Sequence, residues 1–222
     1  MILAIDTSTS WLGICLYDEP LVLYERTWKT KRRHTIELAP AVAAAMEECG
    51  VTIDQVKGLA IALGPGSFTS LRIGLVFIKG LAFARHLPVV GIPTLDCLAY
   101  SRPVSDRPLI CVLQAGRGKL AVADYLAVNQ QWVSEKPCRV MTAKELVAQI
   151  VSPTLVCGEL DAEERHTLAR KWKSVLLASS ANSIRRPAFL AELAWQRFNA
   201  GKTDDPVTLA PIYLHTADPI LS

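Results

Sequence analysis

The sequence predicts an α/β fold built twice over: two related lobes, each a mixed sheet with helices, facing each other across a cleft. Two observations predict it. Three short strand-like runs joined by tight turns open the chain, and alternating helical and strand-like segments follow; after a polar linker at residues 102–108 the same order nearly repeats. The second observation is bulk. With 222 residues, 50% of them hydrophobic and 20% charged, the chain can bury a sizeable core and is not a disordered tail. The lobes are expected at 1–102 and 103–222, with the end of the chain, about 206–222, returning to the first lobe.

Residues 1–6 form a short apolar run that ends in an acid followed by four hydroxyl residues. Runs 11–17 and 21–28 follow, split by a turn at Asp18-Glu19-Pro20, and three strands so closely joined must form an antiparallel meander. A basic loop, Lys29 to Arg33, leads into a helix over about 35–49 that Gly50 closes. Pro40 within it is expected to end or kink a first segment. Residues 58–63 read as a buried strand, a loop from Gly64 to Thr69 leads to a helix over 70–86, and 88–92 is another buried strand. Residues 94–101 form a short helix with Thr94 as its N-cap. Past the linker, strands are expected at 109–113, 120–128 and 132–140, a helix at 143–150, a strand at 154–157, a helix at 162–173 and a short strand at 175–178. Residues 187–199 make the clearest helix, with Pro187 in its first turn and Gly201 past its end.

Charge and cysteine usage bound the function. The 24 basic and 21 acidic residues leave a net charge of +3, too little to mark a protein that grips nucleic acid by itself, though not one that serves a larger RNA-handling assembly. The cysteines, Cys15, Cys49, Cys97, Cys111, Cys138 and Cys157, include no C-x-x-C pair and mostly sit in apolar runs, where a reduced thiol acts as a small hydrophobe. The first strand begins at once, so no signal peptide is expected, and no apolar stretch is long enough to cross a bilayer. These readings predict a reduced, cytoplasmic protein with no membrane contact.

Two loops are candidates for anion or nucleotide chemistry. Asp6, Thr7 and Ser8 sit where the first strand turns, and an acid with adjacent hydroxyls can hold a metal-bound water and a phosphate oxygen, or simply satisfy the turn's own backbone. In the second loop, Gly64 and Gly66 permit close backbone approach, Ser67 and Thr69 lead into a helix whose N–H groups can take an anion, and Arg72 stands one turn in. A plain strand-to-helix turn explains that loop equally well, and no Walker A spacing follows it. The matching hairpin of the second half, Gln114 to Lys119, offers two glycines and two cations but no acid or hydroxyl, so half of a phosphoryl-transfer site is missing. His34, His86, His166 and His215 form no metal-ligand pair, and no metal site is expected. His34 is expected to face solvent and His86 to suit a helix C-terminus. No G-x-S-x-G occurs, and no cysteine has an evident histidine partner, so nucleophilic hydrolysis lacks support. The run Lys29, Lys31, Arg32 and Arg33 reads as a solvated loop rather than an RNA-binding surface.

The strongest remaining signal is apolar. Between Leu71 and Leu87 the apolar residues cover nearly every direction around a helix, which therefore needs cover on all sides. With the Ala-rich stretch at 36–46 it makes a helix pair suited to dock against a like pair from another chain. The interface expected from this pair takes His34, Leu38, Val42 and Met46 from the first helix. The second contributes Leu71, Ile73, Gly74, Phe77, Ile78 and Leu81. The alternative is that the two helices cover only each other and the sheet.

Several stretches resemble one family. Ile2-Leu3-Ala4-Ile5-Asp6-Thr7-Ser8-Thr9 is similar to its opening strand, and His34-Thr35 with Leu38 and Pro40 to its first helix entry. Gly64-Pro65-Gly66-Ser67-Phe68-Thr69-Ser70-Leu71-Arg72-Ile73-Gly74, then Lys79-Gly80-Leu81-Ala82, is the most specific match, and Pro211-Ile212-Tyr213-Leu214 is similar to its ending. The family is the bacterial dimerisation subunit of tRNA threonylcarbamoyladenosine synthesis (TsaB/YeaZ). The resemblance is dense over residues 1–100 and thin beyond. It implies an acetate kinase/Hsp70/actin-type (ASKHA) fold and a pseudoenzyme. Such a subunit activates a larger catalytic paralogue, which transfers threonylcarbamoyl to the adenosine beside the anticodon of ANN-decoding tRNAs. It further implies a small ATPase subunit as a second partner, a homodimer when alone, and tRNA reached only through the complex. No cofactor of its own is implied, with ATP or ADP at most at a subunit junction. The paralogue's iron-binding histidine pair corresponds to Pro93-Thr94-Leu95-Asp96-Cys97-Leu98, which holds neither ligand. Two departures stand out: Ser70 where the family has glycine, and Gln114-Ala115-Gly116-Arg117 in place of an Asp-Ala-Arg pattern. The competing reading is a small ATP-dependent kinase or ATPase using Asp6 and the Gly64 loop.

Overall fold

The computed structural model describes residues 1–31, 33–134 and 136–214. They divide into two units, one of Met1–Cys97 with Arg185–Ile212, the other built on Leu98–Ile184.

The first unit holds β1 (Ile2–Asp6), β2 (Trp11–Asp18), β3 (Leu21–Lys29), α1 (His34–Glu48), β4 (Gly58–Ala62), α2 (Phe68–Arg85) and β5 (Val89–Ile92). The short helix α3 (Thr94–Tyr100) follows β5. The sheet runs β3-β2-β1-β4-β5, with β1, β2 and β3 antiparallel and β4 and β5 parallel to β1. Every residue of β1 is buried because the sheet is covered on both faces. Side chains alternate across a strand, so Leu3 and Ile5 join the core under α1 and α2 with Leu38, Val42, Leu75 and Ile78. Ile2 and Ala4 face the other way, against Ala188, Leu190, Ala191 and Ala194 of α6 (Pro187–Asn199). Each fully buried Ile or Leu contributes about 1.5–3 kcal/mol over its exposed state.

The second unit holds β6 (Leu109–Gly116), β7 (Lys119–Val128), β8 (Gln131–Ser134), β9 (Arg139–Met141), α4 (Ala143–Gln149), β10 (Thr154–Gly158), α5 (Ala162–Ala169) and β11 (Val175–Leu177). Its sheet runs β11-β10-β6-β7-β8, with β9 paired to β7. β6, β7 and β8 are antiparallel, and β10 and β11 lie parallel to β6. With β9 left out of the count, each sheet read from its own third strand has the order 3-2-1-4-5. The duplicated acetate kinase/Hsp70/actin-type plan is present in both units.

Several boundaries differ from the sequence expectation. The first unit ends at Cys97 rather than 102, and the chain returns to it at Arg185 rather than about 206, because α6 packs on β1, β2, β4 and β5. Tyr213 and Leu214, expected to return with it, group with the second unit instead, and residue 215 onward lies outside the described residues. Pro40 does not end α1, which is one helix from His34 to Glu48. The carbonyl that loses its donor belongs to Ile36, and both residues are exposed, so water can satisfy it. The strand expected over 132–140 is two strands, β8 and β9, with Pro137 in the break. The helix expected to reach 173 stops at Ala169, and 170–174 are turns. All six cysteines are free, four of them buried, and the thiols of Cys111 and Cys157 are neighbours at 3.7 Å. Among the described residues, no helix is long and apolar enough to cross a membrane.

Candidate functional site

The loop after β1 is buried through Thr9, and only Ser10 is exposed. Asp6, Thr7, Ser8 and Thr9 are all buried. The Asp6 carboxylate accepts from the Ser8 backbone N–H at 2.8 Å and, through its other oxygen, from Arg185 Nε at 2.8 Å. Arg185 also donates to Thr9 Oγ1 at 3.0 Å, and that oxygen accepts from the Trp11 N–H as well. Burial alone would push the Asp6 carboxyl up. The adjacent guanidinium, with the hydrogen bonds from Ser8 and Arg185, outweighs it and holds the group below the usual carboxylate range. Residue spacing gave no sign of Arg185: it lies 179 positions away, and the only signal was two arginines ahead of a helix that begins with proline.

The Gly64 loop packs onto this first loop. Ser67 N–H, one of the groups read as free for an anion, donates to Ser8 O at 2.6 Å. A side chain at Gly66 would strike Ser8 O at 2.1 Å, so only glycine permits the approach. Gly64, at φ +109°, lies so close to Ile212 that a Cβ would meet its carbonyl at 2.7 Å, and Ile212 N–H donates to Leu63 O. Thr94 was expected to cap its own helix. Instead its hydroxyl accepts from Gly64 N–H at 2.9 Å and bonds to Ser8 Oγ at 2.7 Å, tying three segments together. Thr7 Oγ1 is buried without a hydrogen-bond partner and sits where a Cβ on Gly74 would lie. Thr69 and Arg72 are exposed, and the Arg72 guanidinium lies 3.7 Å over the Phe68 ring. Of the expected anion set, the structure thus packs Asp6, Thr7, Ser8, Gly64, Gly66 and Ser67 together, with Ser67 exposed at the edge, and leaves Thr69 and Arg72 outside.

His34 does not face solvent. It is buried, and its Nε2 donates to Thr9 O at 2.9 Å, which fastens the start of α1 to the first loop. Burial lowers its pKa below the usual histidine value against the pull of Thr9 O, Glu37 and Asp6, so the ring is neutral at physiological pH. Among the described residues, no group of three or more His, Cys, Asp or Glu is placed to hold a metal ion.

The helix pair divides by face. Leu71, Gly74, Leu75, Ile78 and Ala82 recur at helical spacing and are buried against the sheet. The expected interface residues His34, Leu38, Val42, Leu71, Gly74 and Ile78 therefore belong mainly to the core, because each lies on the inward stripe of its helix. Ile73, Phe77, Leu81 and Met46 are half-buried. Outside the expected interface set, Ile36 is 65% exposed, Val76 70%, Phe83 54% and Phe68 52%. Between α1 and α2 runs an apolar groove of about 490 Å³, lined by Thr35, Leu38 and Ala39 on one side and by Phe68, Arg72, Ile73, Val76 and Phe77 on the other. Periodicity could locate the stripe but not say which of two apolar sides the sheet takes.

Comparison with known proteins gives a consistent assignment. A family model described as TsaD, tRNA N6-adenosine threonylcarbamoyltransferase, matches residues 27–182. The tRNA threonylcarbamoyladenosine biosynthesis protein TsaB of Bacillus subtilis (strain 168) is 28% identical over 225 residues, covering 98% of this chain and 95% of that protein. The protein of the same name from Escherichia coli (strain K12) is 27% identical over 96% of this chain and 94% of its own length. In fold, the chain is similar to YeaZ from Pseudomonas aeruginosa, with a TM-score of 0.77 at 22% identity, over 96% of this chain and 99% of that one. The chain belongs to the TsaD family of tRNA N6-adenosine threonylcarbamoyltransferases, and within it to the TsaB/YeaZ group.

Proposed function

We propose that this chain serves tRNA threonylcarbamoyladenosine synthesis as a non-catalytic, cytoplasmic subunit that docks onto a larger catalytic paralogue through the outer face of α1 and α2. The observation that carries the reading is the groove and its rim. Phe68 and Val76 line the groove and are exposed, and Ile36 and Phe83 expose further large apolar groups on the same two helices. The likeness in sequence to both the TsaB proteins and the TsaD family supports a paralogue of the same fold as the occupant, with a second copy of this chain taking its place when the chain is alone. In this reading tRNA is held by the assembly and a small ATPase subunit completes it.

The closed loops support the non-catalytic half of the proposal. A magnesium-bound triphosphate at Asp6 would need the carboxylate open to solvent and the Gly64 loop free. Here Arg185 supplies the positive charge against Asp6, and Ser8 fills the space beside Gly66. The residues do not fit that group, and no phosphoryl-transfer step is assigned to them; a nucleotide, if one is used, belongs at a junction with another subunit.

The test is Val76→Glu. The side chain is exposed, so folding should hold within about 0.5 kcal/mol, while co-elution with the paralogue and modification of tRNA by the reconstituted complex should be lost. Complex formation that survives both Val76→Glu and Phe68→Glu overturns the interface. Hydrolysis of ATP by the lone chain that disappears in Asp6→Ala overturns the non-catalytic reading.

A further inference from the structure

The end of α5 and the turn after it read Arg165-His166-Thr167-Leu168-Ala169-Arg170-Lys171-Trp172-Lys173, four cations and an indole within nine residues. Two of the cations hold the turn in place. Arg165 donates to Ala178 O at 2.9 Å, and Lys171 Nζ donates to Val147 O of α4 at 2.9 Å. The other two are exposed: Arg170, which donates to His166 Nε2, and Lys173, whose Nζ lies 5.5 Å from the centre of the Trp172 ring. None of the four is ion-paired to a carboxylate among the described residues. The acids of this segment, Asp161, Glu163 and Glu164, cluster at the opposite end of α5. At 1.5 Å per residue that end is about 10 Å from Arg170, roughly one screening length in physiological salt, so the turn keeps its positive potential. Trp172 is 69% exposed and has no part in the core.

We propose that this turn is a contact for unpaired RNA, with Trp172 stacking on a base and Arg170 and Lys173 taking the flanking phosphates. An exposed aromatic ring beside cations that pair with no carboxylate is what binding to single strands requires, since every nucleotide offers a flat base next to a charged phosphate. A docking surface for protein would use the tryptophan and the arginine, but lysine is depleted at such interfaces, and Lys173 stands exposed here. The inference rests on the reading that this chain works on tRNA and sharpens it: the subunit adds a weak RNA contact of its own to the grip of the assembly, where effective concentration makes weak contacts count. It departs from the expectation that tRNA is reached through the complex alone.

The probe is a fluorescein-labelled oligouridylate of about twelve nucleotides, chosen to present a single strand long enough for one such site, titrated with the full-length chain at about 20 mM salt and upward. Trp172→Ala should weaken binding about tenfold, and Trp172→Phe should restore most of it. Arg170→Gln with Lys173→Gln should lower the slope of log affinity against log salt by about 1.4, that is about 0.7 per phosphate released. No binding at low salt, or binding that none of these substitutions alters, overturns the assignment. So does a Trp172→Ala chain that keeps its RNA affinity but loses association with itself or with the paralogue, because the turn would then be a protein interface. Circular dichroism of each variant establishes that these exposed positions leave the fold intact. The groove variants are scored by complex formation and these by the RNA affinity of the lone chain, so failure of either proposal leaves the other standing.

Discussion

The turn after β1 and the turn after β6 occupy the same place in two sheets of the same strand order, yet they are built in opposite ways. The first is buried over Asp6 to Thr9, with Ser8, Thr9, the Asp6 carboxylate and Arg185, from far along the chain, bonded into one cluster. The second is an exposed hairpin in which Gly116, Arg117 and Gly118 all have positive φ, at 82°, 53° and 68°, and in which a Cβ added to either glycine would touch nothing. Topology was duplicated; chemistry was not. In the first unit the loop is shaped by what packs on it, and in the second by the geometry of a tight turn alone.

Four changes would break or sharpen that contrast. The largest effect is expected for Arg185→Ala, which leaves the Asp6 carboxylate buried without its cation. Urea denaturation at neutral pH should show a loss of about 3–5 kcal/mol, with Arg185→Lys between the two. Gly66→Ala comes next, since its methyl would drive Ser8 away from the Gly64 loop. A cost of about 2 kcal/mol is expected, and a value below the experimental error would mean that the two loops are not held together as described.

His34 gives a smaller, pH-dependent effect. Its folded-state pKa lies below the usual value of 6.5, so the unfolded chain takes up the proton first. Stability from this residue should be complete above about pH 6.5 and decline as the pH falls below it. His34→Gln, a neutral donor at every pH, should flatten that part of a stability profile measured between pH 7 and pH 5; an unchanged profile would remove His34 from the link between α1 and the first loop. The smallest effect is on the other side of the comparison. Arg117→Gly relieves a left-handed conformation with no packing at stake, and a gain of about 0.5–1 kcal/mol in thermal denaturation is expected.

Much of the fold was legible because strands buried on both faces and short turns leave plain marks. The meander of β1, β2 and β3 and the span of α6 follow the expected residues closely. What was not legible is mostly a matter of partners. The apolar stripe of α6, with Ala188, Leu190, Ala191 and Ala194, states that a sheet lies beneath it but not which of two sheets. Asp6 and the Gly64 loop were visible as chemistry, whereas Arg185, which decides what that chemistry can be, was hidden by sequence distance. On α2 the sequence showed an excess of apolar residues but could not separate Leu71 and Ile78, which serve the core, from Phe68 and Val76, which do not. Of the basic residues dismissed as a solvated loop, Lys29, Lys31 and Arg33 are exposed, and Arg32 lies outside the described residues.

The first unit closes with a helix that the ribosome makes long after the rest of that unit. Until residues 185–199 emerge, Ile2, Ala4, Cys15 and Tyr17 have nothing against their side of the sheet, although the rest of that unit has long been synthesised. The first unit holds an apolar sheet face open to chaperones and to other nascent chains until α6 arrives. A premature stop just before Arg185 would therefore release a product whose earliest-made half is the defective one.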